Sequence, residues 1–283
     1  MAAVPMADDG FEAFTPEHAL ILLLLAAGVL ALGYAGLRHR RVDDPVRFRR
    51  GFAVLIPLFT VPLQVLQLLP DDFTTGTSLP LQICDLSWMV AVWALWTLDA
   101  SAVALLYYWG LTLTVQAAIT PSLDQTFPDP RYFMFWGMHL LTIWAAVYLV
   151  CAAGGPGWGG YRFAMATTAV WAALVLGFNA VTGTNYGYLS HKPETSSLLD
   201  LLGPWPLYVA AEVGILALVW AAMTWPWVRA GTSGRQSAGD RSSEHGHRRP
   251  VPPGFSGRAA PPAAPHQHAA RDQGTETGRD QQG

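Results

Sequence analysis

Apolar residues fill seven long blocks between residues 18 and 225, and polar residues interrupt most blocks near one end. The blocks cover residues 18–37, 51–69, 80–98, 101–120, 132–153, 164–182 and 203–225. About 20 mostly apolar residues cross a bilayer as a helix. The pattern therefore predicts an all-α fold, a polytopic membrane bundle of seven transmembrane helices. Only Asp99 and Ala100 separate the third block from the fourth, which predicts a short turn. Tyr132, Trp205, Trp225 and Trp227 stand near block ends, where amphipathic rings anchor at the membrane interface.

Composition supports the same class. The chain is 52% hydrophobic and 13% charged, against about 25% charged in soluble domains. Too few charged residues exist to solvate the outside of a soluble helical protein of this size. The last 55 residues or so change character and become rich in Gly, Pro, Ser, Gln, His and Arg. Such a segment cannot bury enough apolar surface to fold alone. Three parts result: a short extracytoplasmic segment over 1–17, a transmembrane domain over 18–228, and a disordered cytoplasmic tail over 229–283.

Basic residues set the expected orientation. Of the 17 Lys and Arg, only Arg131 and Lys192 fall on one side of the alternating loops. The other side holds Arg38, Arg40, Arg41, Arg47, Arg49, Arg50, Arg162 and the tail. The positive side faces the cytoplasm, so the N-terminus is expected outside and the C-terminus inside. Residues 1–17 carry Asp8, Asp9, Glu12 and Glu17 without a basic residue. A cleaved signal peptide has a basic leading region, so the first span reads as an uncleaved anchor. The expected location is the cell membrane, plasma or inner, as a multi-pass protein.

Orientation gives the polar residues a depth, at about 1.5 Å of rise per helical residue. Thr60, Gln64 and Gln67 share a face near the outer end of the second block. Cys84 and Asp85 lie just below the outer start of the third. Gln116 and Thr120 share a face at the outer end of the fourth. His139 sits on the fifth, Asn179 and Thr182 on the sixth, and Glu212 on the seventh. The inner halves look nearly free of such groups. Amides and hydroxyls taken singly also serve to bond neighbouring helices. Ionisable groups are costlier in a membrane, so Asp85, His139 and Glu212 should face a protein interior. Together the positions describe a polar cavity opening to the outer leaflet. Gln64, Gln67, Asp85, Gln116, Asn179, Asn185 and Glu212 are its expected substrate-binding residues.

Cys84 is the reactive candidate. It lies in the first turns of a helix expected to begin at Pro80, and helix N-termini favour thiolate. His139 could serve as its base, completing a Cys–His nucleophilic pair; His18 is the second choice. The neighbouring Asp85 opposes thiolate formation, and a packing role for Cys84 stays open. A Cys84–Cys151 disulfide is not expected, since most of the bilayer separates the two.

The stretches LPLQICDLS (79–87), TVQAAITP (114–121), FPDPRYFMFWGMH (127–139), TGTNYGYL (182–189) and SLLDLLGPWPLYVAAE (197–212) resemble the YwaF-like integral membrane proteins. These are grouped with transmembrane protein 164 of animals. The resemblance covers residues 10–225 or so and implies a seven-helix fold. Its animal branch implies a phospholipid acyltransferase working through a cysteine acyl-enzyme. Cys84 stands where that cysteine falls, and His139 is similar to a family histidine. This chain carries Gln82 where bacterial members often read His, and Met138-His139-Leu140 where they tend to read Ser-His-Gly.

Phosphate-loop, zinc-protease and serine-hydrolase signatures do not occur in the chain. The sequence thus gives no reason to expect a cofactor, a metal or a nucleic-acid partner. The expected partner is membrane lipid, with an acyl-lipid or other small molecule as substrate. Two functional readings follow: a cysteine-dependent lipid acyltransferase or acyl hydrolase, and a small-solute transporter or membrane sensor without catalytic activity.

Overall fold

A computed structural model describes residues 11–41, 45–71, 73–123, 125–192 and 198–246, with side chains to residue 230. All regular structure among them is helical. The helices are α1 (Pro16–His39), α2 (Val46–Gln67), α3 (Ile83–Thr97), α4 (Ala100–Tyr108), α5 (Thr114–Ile119), α6 (Pro130–Ala153), α7 (Trp158–Thr182) and α8 (Leu207–Gly246). A π-helical turn, Trp109–Leu113, joins α4 to α5 without a break. The chain divides into a compact unit over residues 1–237 and a second unit over 238–283. Of the second unit, only helical backbone to Gly246 is described. The opening of the expected tail is thus α8 backbone, and 247–283 lie outside the described residues.

Local chemistry explains where the helices begin and end. Thr15 caps α1 by accepting the His18 N–H, with Pro16 at the first helical position. There Pro forfeits only an amide that has no helical partner. Asp129 and Pro130 open α6 in the same way, Asp129 Oδ1 accepting the Arg131 N–H at 2.7 Å. Gly183 ends α7 at φ +71°, a conformation glycine adopts without strain. Leu98 in the left-handed region ends α3. Asp99 Oδ1 then accepts the Ser101 and Ala102 amides and starts α4.

Among the described residues, six helical stretches are long and apolar enough to cross a membrane: α1, α2, the continuous run Ala100–Ile119, α6, α7 and Leu207–Ala230. The third expected span is shorter than the sequence suggests. Its helix starts at Ile83, not Pro80, and has 15 residues. That is about 22 Å of helix, below the roughly 30 Å of a hydrocarbon core. Gln82 with extended backbone is the N-cap, and the residues before it are non-helical. The α2 helix also begins earlier than its apolar block, taking in Arg47, Arg49 and Arg50.

The most enclosed helix is α6, which packs on α1, α2, α3, α4 and α5. Its contact with α1 is close because α1 offers glycines: a Cβ at Gly28 would overlap the Trp144 ring at 2.0 Å, and one at Gly36 would meet the Tyr148 carbonyl at 2.5 Å. The outward faces remain apolar. Leu30 on α1, Val170, Leu174 and Val181 on α7, and Leu218 on α8 are all exposed. Water would penalise such a surface, and lipid does not.

Polar groups are not confined to one end, contrary to the sequence expectation. The Tyr108 and Thr224 hydroxyls lie 2.7 Å apart. The Trp227 indole donates to Tyr107 Oη, which donates to the Met223 carbonyl. Trp109 Nε1 donates to Thr168 and Trp220 Nε1 to Thr112. These bonds tie α4 and the π turn to α7 and α8. Hydropathy missed them because Tyr, Trp and Thr read as near-neutral while each carries a hydrogen-bonding group.

Arg49 is a buried basic residue, 6% exposed. Its guanidinium donates to the carbonyls of Leu95 and, at 2.9 Å, Trp96. Cations at a helix C-terminus satisfy its free carbonyls and its dipole. Arg49→Ala is expected to destabilise the protein by about 1.5–3 kcal/mol, the range for hydrogen bonds to a charged group. The check is the unfolding midpoint of the purified protein in detergent; an unchanged midpoint would contradict this role.

Candidate functional site

The polar residues expected to share one cavity separate into two groups. One group builds the connecting loops and the other points into the helix bundle.

Asn179 belongs to the loops. It is 2% exposed and its amide is fully engaged: Oδ1 accepts from Tyr186 N and Thr184 Oγ1, and Nδ2 donates to the Tyr186 carbonyl. Tyr186 is buried completely, donates its hydroxyl to the Thr75 carbonyl at 2.8 Å and accepts from Leu79 N. Burial raises the phenol pKa of Tyr186, so it stays a donor at neutral pH. Asn185 folds the following turn, bonding Ser190 N, His191 N and the His191 carbonyl. Gln82 accepts the Gly187 N–H at 2.8 Å. The Trp171 indole donates to the Leu81 carbonyl, and that of Trp205 to Leu189. The loop after α7 is thereby latched to the segment that leads into α3. Gln82 is part of that latch.

Asp85 is the third residue of α3, and its Oδ2 accepts the N–H of Gln82 at 3.1 Å, half of a capping box. His18 is likewise committed: Nδ1 accepts from Phe14 N and Nε2 donates to the Ala118 carbonyl, both at 2.9 Å. With both ring nitrogens engaged, His18 staples α1 to α5 and has no lone pair left for a base. Glu212 is half-buried on α8, one turn from Tyr208, whose hydroxyl holds the Tyr188 carbonyl. Gln67 and Gln116 are half-buried near the ends of α2 and α5.

The second group sits where α2, α3, α6 and the π turn meet. Cys84 is the second residue of α3, a half-buried free thiol. It packs against the cluster containing Trp88, Met138 and Leu141. His139 on α6 is 1% exposed. Its Nδ1 lies 2.6 Å from the Phe135 carbonyl, one turn back, and its ring stacks on Phe135 at 4.2 Å. A carbonyl can only accept, so Nδ1 carries the proton and Nε2 the lone pair. Among the described residues, Nε2 has no hydrogen-bond partner. No hydrogen bond joins it to Cys84.

His139 is one of several buried polar atoms with this property. Thr142 Oγ1, Thr114 Oγ1, Trp88 Nε1 and Gln64 Oε1 also lack partners among the described residues. Gln64 uses its other amide atom on the Ser78 carbonyl. An unsatisfied buried group costs about 1–3 kcal/mol, and most buried polar groups are hydrogen-bonded. Register brings three of them to one seam. His139, Thr142 and Ala146 follow i, i+3, i+7 spacing on one face of α6. Gly110 of the π turn packs on that face: a Cβ there would lie 2.9 Å from Ala146 Cβ and 3.7 Å from the Thr142 carbonyl. Thr114 follows Gly110 by one turn. On α3, Trp88 follows Cys84 by one turn. π-helical turns often occur at functional sites; this one runs beside the seam.

Sequence reasoning missed Thr114, Thr142 and Trp88. A hydroxyl or indole in a span gives no charge signal, and its lack of a partner is a tertiary property. Among the described residues, no three His, Cys, Asp or Glu gather into a metal-binding group.

No curated protein and no solved structure matches this chain. The model of the TMEM164 family matches residues 13–224. That span takes in α1 through α7, the latched loops, Cys84, His139 and the membrane-crossing part of α8 to Thr224. The chain is an integral, multi-pass membrane protein and belongs to the TMEM164 family.

Proposed function

We propose that the protein is a cysteine-dependent enzyme that transfers or hydrolyses an acyl group of a membrane lipid, with Cys84 as nucleophile and His139 as base. The observation that carries this reading is the state of His139. Its tautomer is set by the Phe135 carbonyl, and its lone pair is buried and without a partner among the described residues, on the helix that packs against α3. A histidine with that arrangement keeps a lone pair that is not already engaged in a hydrogen bond. Cys84, two residues into α3, is a free thiol.

In the proposed reaction, Sγ attacks the ester carbonyl carbon while His139 Nε2 takes the thiol proton. Collapse breaks the acyl carbon–oxygen bond. The leaving lipid oxygen takes the proton from Nε2 and departs as an alcohol, leaving a thioester on Cys84. A second alcohol, or water, then attacks the thioester and gives its proton to Nε2; the thiolate leaves and is reprotonated. Sγ and Nε2 must come within reach once the ester is bound; such contacts are commonly long in free enzymes. Thr114 and Thr142 offer hydroxyls to the polar part of the lipid.

The reading includes seven crossings, an outside N-terminus and location in the cell membrane. Two bonds support counting α3 and its approach as a crossing. Arg49, near the start of α2, reaches the end of α3 at Leu95 and Trp96, and Gln64, near the end of α2, reaches Ser78. Residues 78–96 thus run alongside residues 49–64 of α2, the non-helical approach to α3 included.

Trapping tests the reading. The full-length protein in proteoliposomes, incubated with phospholipid and quenched in acid, is expected to yield an acyl thioester on the peptide containing Cys84 by mass spectrometry. His139→Gln is expected to slow thioester formation by about 10²–10⁴-fold, the range for a general base, with the protein still folded. Absence of any adduct at Cys84 during turnover would overturn the proposal.

A further inference from the structure

Helices α1 and α2 lean on α6 and leave a groove between them, its basic end formed where α2 begins. Its volume is about 450 Å³, and it is lined by Leu32, Phe48, Phe52, Leu55, Leu141 and Trp144, with Gly51 in its wall and Arg47 at its end. This volume falls within the roughly 300–1,000 Å³ of small-molecule sites. Leu141 and Trp144 of α6 form the floor, and His39, Phe48 and Tyr148 close the Arg47 end. There the His39 and Phe48 ring centroids lie 5.1 Å apart, and His39 Nδ1 is 3.2 Å from Tyr148 Oη.

Two features point to the occupant. The lining is apolar except at one end, where Arg47 is exposed. The neighbouring Arg38, Arg40, Arg41 and Arg50 are exposed too, and Arg50 lies over the Trp96 ring at 5.2 Å. From Arg47 to Leu55 is about 12 Å of helix, so the charge lies at one extremity and the apolar wall runs from it toward mid-bundle. The second feature is Gly51. A Cβ there would meet nothing within 4 Å. A glycine in a helix interior costs about 1 kcal/mol relative to alanine, and here no neighbour requires it. What its missing side chain does provide is open volume in the groove.

We infer that this groove is a binding site for one anionic glycerophospholipid, its acyl chain along Gly51, Leu55, Leu141 and Trp144 and its phosphate on Arg47. Polybasic positions at a membrane surface attract anionic lipid, at about 1 kcal/mol for each Arg or Lys. The basic end of the site lies away from Cys84, although Leu141 on its floor belongs to the cluster that Cys84 packs against, and the reaction proposed at Cys84 does not involve the site. It holds a lipid as ligand and not as substrate: Cys84 packs at the far end of α3 from Arg49, and no cysteine or serine lines the groove.

Native mass spectrometry of the full chain tests this, after reconstitution with phosphatidylcholine and phosphatidylglycerol in equal amounts. The parent is expected to retain one phosphatidylglycerol in preference to phosphatidylcholine. Arg47→Gln is expected to cut that preference by about fivefold, the equivalent of one such contact. Gly51→Leu fills the groove and is expected to abolish retention of both lipids, while Gly51→Ala keeps most of it. Where Gly51→Leu does not fold, Leu55→Trp reads the same loss. Retention of the lipid by a folded groove-filling variant would overturn the site. A phosphatidylglycerol preference unchanged in Arg47→Gln would overturn it as well, since the lipid would then be ordinary boundary lipid.

Discussion

Cys84→Ala is expected to abolish acyl-thioester formation and to lower acyl release from phospholipid by at least about 10³-fold, the scale on which enzymes respond to loss of their nucleophile. The size of the effect follows from the chemistry. The covalent route needs a soft nucleophile that also leaves readily, and among the half-buried or buried side chains around the seam only the Cys84 thiol is one. Thr114 and Thr142 carry hydroxyls, but at ordinary acidity these are weak nucleophiles without an adjacent base. The substitution should leave the fold intact. Cys84 is partly exposed and free of disulfide bonding, and it neither caps α3 nor ties a loop. Phospholipid turnover in proteoliposomes reads the result. A Cys84→Ala protein that keeps activity within about threefold of the parent would return Cys84 to packing and remove the enzyme reading with it. Uptake of a solute that depends on Glu212 and not on Cys84 would then favour the transporter reading.

The largest effect on stability is expected from Asn179→Ala, about 3 kcal/mol or more. Asn179 is buried and holds both the N–H and the carbonyl of Tyr186, together with the Thr184 hydroxyl. Truncation leaves two backbone groups of a fully buried residue unpaired, at about 1–3 kcal/mol each. The damage should spread, because Tyr186 in turn holds Thr75 and Leu79 on the approach to α3. Asn179→Asp keeps the two acceptor contacts and loses only the donor to the Tyr186 carbonyl, so its loss should be smaller. Two measurements check this: the unfolding midpoint in detergent and the rate of proteolysis within residues 71–82 and 183–192. An Asn179→Ala protein within about 0.5 kcal/mol of the parent would show that the loop is held elsewhere.

Much of the architecture was legible in the residues, for a simple reason. A bilayer demands long apolar runs whose backbones satisfy themselves, and five of the blocks became single long helices, α2 and α7 starting five or six residues early and α8 running on to Gly246. The block at 101–120 did too, although a π turn inside it has no signature in its composition. The block at 80–98 did not. Its hydropathy is that of a span, yet residues 80–82 stay non-helical and the helix waits for Ile83. Hydropathy measures preference for lipid and is silent on whether the backbone coils.

The candidate site was legible only as a set of names. Residue type separates groups able to do chemistry from groups that cannot, so Cys84 and His139 could be chosen in advance. It does not say which hydrogen bonds those groups already make. Asn179, Asn185, Asp85 and His18 looked like cavity residues and proved to be fully or partly committed to loops and helix ends. Thr114, Thr142 and Trp88 looked unremarkable and carry unpartnered polar atoms.

The sequence by itself determined that this chain is helical, that it lies in a membrane and that Cys84 is near a helix start. Those are consequences of transfer free energy and of local backbone preference, both properties of short stretches. Tertiary structure alone decided which polar atoms are satisfied, which loops latch the start of α3, and where α1 and α2 part to leave a groove. Each of these depends on atoms far apart in the chain meeting at hydrogen-bond or van der Waals distance, and no local pattern encodes that meeting.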